Sequence, residues 1–300
     1  MKTLWDSDIV YHFRRSPLAI ISALVALICG LGAFLSPWIA PHDPFDLASL
    51  QLLDSLQPPV FLPGGEWRWL LGTDNQGRDV LSAIMYGARI SLVVGLAAVG
   101  FAMLLGVVLG LLAGYAGGSV DAVLMRIADV QLTFPAILIA LLVDGVVGAA
   151  LPQGMHQQLQ IPVLILAIGI SKWPDFARVV RGSTLVERGK EYVMAARVIG
   201  IASPRIMLTH ILPNVMGPVL VIATLNLGFA ILTEATLSFL GLGLPPTRPS
   251  LGTLIRVGND YLMSGEWWMT IFPGIALVLM VLSINLLGDW LRDALNPRLR

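Results

Sequence analysis

Charge is scarce in this sequence: 13% of its 300 residues are Asp, Glu, Lys or Arg, about half the usual share of a soluble domain, which is roughly 25%. The 19 basic and 19 acidic residues cancel, so no global field draws the chain toward nucleic acid or an acidic surface. A single cysteine, Cys29, excludes an intrachain disulfide and reads as a small packing residue inside an apolar run. The four histidines, His12, His42, His156 and His210, stand far apart, without the paired spacing of a metal-binding helix. The phosphate-loop pattern is missing as well: Gly189-Lys190 is followed by Glu191, and Thr184 stands where the first glycine should be. Neither a nucleophile elbow nor a zinc-protease pair occurs. The reading therefore assigns no catalytic residue, no metal and no cofactor. No internal repeat is evident, which weakens a secondary transporter built on inverted repeats.

What the sequence does have is apolar length, with 56% of residues hydrophobic. About 20 apolar residues are needed to cross roughly 30 Å of hydrocarbon. Candidate crossings fall at 18–40, 90–115, 130–151, 162–171, 216–240 and 267–287, the last flanked by Trp267, Trp268 and Trp290 as interface anchors. The expected fold is all-α, a polytopic bundle of six transmembrane helices. The first run is too long for a signal-peptide core, and Pro41 is unsuited to cleavage, so it reads as an uncleaved anchor. Around it the chain divides into an N-terminal segment 1–17, the helix 18–40, a Pro- and Gly-rich external loop 41–87, and a core 88–300 with the five further helices.

With the N-terminus inside, six crossings place 14 of the basic residues on the cytoplasmic side and 5 outside, the bias that sets orientation in membranes. Gly106, Gly110 and Gly114 recur every fourth residue and form a smooth face for close helix contact, before Gly117-Gly118 ends the helix. Arg126 and Asp129 are spaced to pair on one face. Asp144 is expected at the outer interface, exposed. Glu234, near the outer end of its run, admits two readings: a bonded carboxylate stabilising the bundle, or part of an outer gate.

The loop 187–213 carries the most information. Residues 187–199 are helix-compatible, Gly200 is a stop, and Ser203-Pro204 reads as a cap followed by a first helical residue. Two such short helices are marginal alone in water and call for a partner surface. The loop resembles the one shared by permease subunits of bacterial ABC importers, Glu-Ala-Ala, three residues, Gly, nine residues, Ile, one residue, Leu-Pro. Ala195, Ala196, Gly200, Leu212 and Pro213 match, while Met194 and His210 depart. Gly72, Thr73, Asp74, Gly77, Arg78 and Asp79, within the stretch 71–82, resemble the segment preceding the second helix in dipeptide, oligopeptide and nickel permeases, and 234–243 and 288–297 are similar to that family too.

The resemblance implies an ATP-driven importer of the bacterial cytoplasmic (inner) membrane, in which this chain forms half of the pathway. A homologous second permease would complete a heterodimer in membrane lipid, two ABC ATPase subunits would handle the nucleotide, and an extracytoplasmic substrate-binding protein would deliver cargo. The ATPase-coupling contacts would fall on Ala195, Ala196, Arg197, Gly200, Ser203, Pro204, Leu212 and Pro213. Peptide is the expected cargo, with nickel, or a secondary transporter, as alternatives. On residues alone, Asp74, Arg78 and Asp79 read as a charge network pinning the external loop, with Gly72 and Gly77 at turns.

Overall fold

The computed structural model describes residues 13–46, 52–150, 153–244 and 248–295. The N-terminal residues 1–12, which include His12, and the final Asn296-Pro297 of the 288–297 stretch lie outside them. Among the described residues the chain is helical without strands; Thr73 and Asp79 form an isolated bridge. Helix α1 (Pro17–Phe34) starts from Ser16, whose hydroxyl accepts from the Ala19 amide, and a short α2 (Ser36–Ile39) follows. The expected single helix 18–40 is thus broken at Leu35. Pro37 has no N–H for the Ala33 carbonyl, and the Ser36 hydroxyl donates to it instead at 2.8 Å.

Helix α3 (Val80–Ala116) is 37 residues long, about 55 Å at 1.5 Å per residue. Helix therefore begins at Val80, within the stretch 41–87 expected to be loop. At the far end Gly117 takes φ +69°, and α4 (Gly118–Leu132) and α5 (Ala136–Ala150) follow, bent 96° across Thr133–Pro135. α6 (Gln153–Glu187), at 35 residues, is nearly as long, but its apolar part stops at Ser171 and Lys172, Asp175, Arg178 and Arg181 succeed it. After a loop of short helices come α9 (Leu212–Phe239), α10 (Leu251–Tyr261) and α11 (Trp268–Leu295).

The count of crossings differs from the six expected. Four continuous helices are long and apolar enough to span a bilayer, at Pro17–Phe34, Val80–Ala116, Ser203–Phe239 and Trp268–Ala294, and the bent α4–α5 pair makes a fifth candidate. The sequence signal at 162–171 belongs to α6, which has the length to cross but is polar over much of it. The amphipathic α10 was not foreseen; Leu251 and Leu254 point into the core, and Gly252 and Gly258 let its backbone touch Ala235 and Met269.

α3 packs on α6 over its second half, from Ala98 and Phe101 against Gly169 to Gly114 against Thr184, while its first half faces α9 and α10 at Gly95 and Gly87. A Cβ added at Gly106, Gly110 or Gly114 would fall within 2.4–2.7 Å of Phe176, Ala177 or Thr184, and one at Gly169 within 2.5 Å of Phe101. The glycine face is thus a packing face, as read from the sequence. The main core joins Val94, Ala98 and Ala102 of α3 to Leu164, Ile168 and Phe176 of α6 and to Val215 and Val219 of α9. A second cluster ties Ala33 of α1 to Leu92, Ile231, Leu254 and Met280. Asp144 is buried at 6% exposure, not at an exposed interface. Asp129 pairs with Arg178 of α6 at 2.5 Å rather than with Arg126, because α4 lies against α6 and Arg126 is turned outward.

The charge bias and these exposures set a labelling test. In a Cys29→Ala background, Trp67→Cys and Met263→Cys, at 84% and 95% exposed positions, should react with an impermeant thiol reagent on intact cells. Val198→Cys should react only after permeabilisation; the reverse pattern would invert the orientation.

Candidate functional site

The outer motif folds around one carboxylate. Asp74 receives the Arg78 Nε–H at 2.6 Å, the Gln76 amide at 2.8 Å and the Arg78 amide at 2.9 Å. Gly72 and Gly77 take φ +81° and +78° to close the turns. Thr73 docks the preceding loop: its hydroxyl donates to the Asp54 carbonyl and accepts from the Gln57 amide, while its carbonyl accepts from Trp268 Nε1. Thr73, Asp74, Arg78 and Asp79 are all buried. The expected three-member charge network divides in two. Asp74 and Arg78 form the ion pair, whereas Asp79 caps α3, accepting from the Ser82 amide at 2.8 Å, with His42 Nδ1 4.0 Å away. His42 and Trp268 are contributors that no local pattern announced.

Glu234 is fully buried in α9. Ser91 of α3 and Ser238 of α9 each donate to it at 2.7 Å, and the Ser91 hydroxyl in turn accepts from the Leu251 amide at the start of α10, which Ser250 caps. A carboxylate away from water is tolerated when its oxygens are bonded in this way. The side chain joins three helices and presents no exposed face, which is the arrangement of a bonded bundle glutamate.

At the opposite end the loop differs from its expected form. α6 runs to Glu187 and stops; a turn over Arg188–Lys190 precedes α7 (Glu191–Val198), so 187–199 is not one helix. Gly200 takes φ +85°, the left-handed conformation a helix stop needs. α8 (Ser203–Ile206) begins after Ala202, which occupies the cap position without a side-chain bond, so Ser203 is the first helical residue and Pro204 the second. A π-helical turn, Met207–Ile211, leads into α9, with Leu212 and Pro213 at its first turn.

Val193, Ala196, Ile206 and Ile211 are buried in the main core, whereas Val198 and Ile199 are 88% and 77% exposed and Met194 and Leu208 stand out beside them. Ala195 and Arg197 are exposed, and the Arg197 guanidinium sits 4.9 Å over the Tyr115 ring. Two further residues fasten the loop without having been singled out in the sequence. Arg188 donates to the Gly114 and Tyr115 carbonyls at the end of α3. Tyr192 donates to Glu187 at 2.5 Å and accepts from Asn214. Burial opposes ionisation of Glu187, but hydrogen bonds from Lys190 and Tyr192 outweigh it and hold the carboxyl below its ordinary range. Burial and the adjacent carboxylate push the Tyr192 phenol up to about 12. Among the described residues no three His, Cys, Asp or Glu side chains converge as a metal site.

Residues 106–300 match the family described as binding-protein-dependent transport system inner membrane component, and 3–59 match the N-terminal TM domain of oligopeptide transport permease C. The chain is 38% identical to the di/tripeptide transport system permease protein DppC of Pseudomonas aeruginosa, over 100% of this chain and 93% of that one. It is 36% identical to the oligopeptide transport system permease protein OppC of Bacillus subtilis, over 99% and 91%. In fold it is similar to a chain of the inward facing MetNI methionine ABC transporter, with TM-score 0.56, 18% identity, and coverage of 71% of this chain and 96% of that chain.

The two buried carboxylates give a stability test. Arg78→Leu takes the cation from Asp74 and leaves it only backbone donors, and breaking a buried pair costs about 3–5 kcal/mol; Glu234→Leu removes the acceptor of two buried hydroxyls at roughly 1–3 kcal/mol each. Both should lower the Tm of the purified chain and speed proteolysis, while Glu234→Gln, which keeps size and bonding, should stay near wild type.

Proposed function

The chain belongs to the family of binding-protein-dependent transport system inner membrane components, and from that premise we propose that it forms half of the pathway of an ATP-driven importer of dipeptides or oligopeptides. Its apolar helices make it an integral protein of the cytoplasmic membrane, in a family of transport proteins. The relatives named for di/tripeptide and oligopeptide transport favour peptide over nickel as cargo. The family also disfavours the secondary-transporter alternative. In this reading the other half is a homologous permease, an extracytoplasmic protein delivers the peptide, and two ATPase subunits drive the cycle. The end of the bundle carrying α7 faces the cytoplasm.

The observation that carries this reading is the loop 187–213. Its buried residues are rooted in the transmembrane core, and its tip offers Val198, Ile199, Met194 and Leu208 to solvent. An apolar tip on a braced base suits docking to a soluble subunit and passing its movement inward. Ala195, Ala196, Arg197, Gly200, Ser203 and Pro204 form the docking unit in this proposal, with Leu212-Pro213 starting the helix that receives the movement. The outer motif, Gly72 to Asp79, serves as the structural floor of the external segment. The gate role of Glu234 would act through α10, because the carboxylate is where α10 is held to α3 and α9 and has no surface for cargo.

Gly200 provides the test. Space is open around its Cβ position, so Gly200→Val acts through the backbone alone, at about 1–2 kcal/mol or more for a branched residue at positive φ. The variant should insert and pair with the second permease, yet co-purify poorly with the ATPase and lose peptide-stimulated ATP turnover, with Gly200→Ala intermediate. Normal docking and stimulation in Gly200→Val would refute the coupling role of the loop.

A further inference from the structure

One side chain is shared between two helix breaks. Pro174 lies inside α6, and a proline leaves the carbonyl four residues earlier without its helical donor. That carbonyl belongs to Ile170. The Nε2–H of Gln131, on α4, donates to it at 2.5 Å, while Trp173 Nε1 donates to the Gln131 Oε1 at 2.9 Å. One amide thus replaces the bond the proline removed and holds the neighbouring indole. Gln131 is also the second residue before Thr133–Pro135, where α4 turns by 96° into α5. Both breaks sit at one level of the bundle.

The packing on either side of that level differs. α4 is fastened to the lower part of α6 by Asp121–Arg181 and Asp129–Arg178, each at 2.5 Å, and by the contact of Ala128 with Trp173 and Ala177. α5 belongs instead with the upper part of α6, where Ala140, Ile137 and Leu141 share the core with Leu164, Ala167 and Ile168. Lower α6 leads straight to Glu187 and Arg188, which hold the loop 187–213. α4 and α5 thus pack on different stretches of α6 that meet at Pro174 and Thr133–Pro135, α3 runs unbroken beside both, and the Gln131 amide bridges the two breaks.

We propose that Gln131 is a positioning residue of the transport cycle: by donating to the carbonyl vacated at Pro174 it clasps the joint between the loop-bearing half and the membrane half of the subunit, so that movement of the loop is passed upward rather than lost in the joint. The geometric part stands alone, and its consequence for transport rests on the importer reading.

The test is a cycle over positions 131 and 174. Gln131→Glu keeps the length and the bond from Trp173 but loses the donor to Ile170; Gln131→Met serves as a second variant without a charge. Pro174→Ala restores the backbone N–H and makes that donor redundant. The chain in lipid nanodiscs, in a Cys29→Ala background, carries spin labels at Leu138 on α5 and Val186 on lower α6, both exposed. The distance distribution should be narrow in wild type, broad in Gln131→Glu and Gln131→Met, and narrow again when either is combined with Pro174→Ala. Equal widths in wild type and both position-131 variants, or broadening that persists when Pro174→Ala is added, would overturn the clasp.

In proteoliposomes with the permease, ATPase and binding-protein partners, the ratio of peptide-stimulated to basal ATP turnover should fall about fivefold, the effect of a small change in a conformational equilibrium, and recover in the double variants. An unchanged ratio with normal assembly would overturn the transport role. A wild-type complex showing no peptide stimulation would instead count against the importer reading, and the label distances would still decide the clasp.

Discussion

The close approach of α3 and α6 is the contact on which the rest of the subunit hangs. In a bilayer, acyl chains are as apolar as leucine, so helices gain little by exchanging lipid for one another unless their shapes fit. Gly106, Gly110 and Gly114 supply the fit by letting the α3 backbone lie against Phe176, Ala177, Val180 and Thr184, and Gly169 returns the contact against Phe101. Every other part is attached to this pair. The loop 187–213 is moored to the end of α3 through Arg188 and Arg197, the external segment to its start through Asp79 and His42, and α10 to its flank at Gly87 and Ser91.

Polar groups within the helices answer a second constraint. In hydrocarbon each backbone donor and acceptor needs a partner inside the protein, and prolines break that accounting at known places. At Pro37 the gap is met locally, by Ser36. At Pro174 it is met from another helix, by Gln131. A local solution leaves the kink independent of its surroundings, whereas a distant one couples two elements. Glu234 follows the same logic, since its hydroxyl donors come from α3 and from α9, and the α3 donor Ser91 also accepts from the first amide of α10.

Much of this was legible in the residues. The apolar runs announced most of the spanning helices, the four-residue glycine spacing announced the α3 packing face, and Gly200 announced a turn that needs positive φ. What stayed hidden depends on pairing at long sequence separation. Asp129 is spaced to meet Arg126 but meets Arg178, which is 49 residues away. Asp79 reads as one more charge in a cluster, and only the start of α3 at Val80 makes it a cap. Asp144 reads as an interface residue because hydropathy carries no direction around a helix. α10 escaped because its 11 residues lie between two stronger apolar signals, and its glycines are informative only once Ala235 and Met269 are placed against them. The break after Glu187 had a local sign in Gly189, at the centre of the turn, but a lone glycine is tolerated in many helices; the bonds of Arg188 to α3 and of Lys190 to Glu187 that accompany the turn have no such sign.

The ion pairs of the subunit differ widely in how well they are shielded. At the end carrying the external segment the ion pair Asp74–Arg78 is almost fully enclosed, at 6% and 2% side-chain exposure, and opening such a pair costs about 3–5 kcal/mol. At the other end Arg178–Asp129 is 52% and 51% exposed, in the class of pairs that contribute about 0–1 kcal/mol. Water can replace the second kind as the helices slide, but not the first. Sliding of α4 on lower α6 therefore meets less resistance at Arg178–Asp129 than opening of the Asp74 turn would, and the loop 187–213 reaches the membrane half through the core it shares with α6. Along α6 the part-buried bonds nearest the proline are the ones made by Gln131 and Trp173, beside the buried Ala128 and Ala177. Compliance below and rigidity above thus meet at the proline, where a helix bends most easily and where one amide decides whether the two parts turn together.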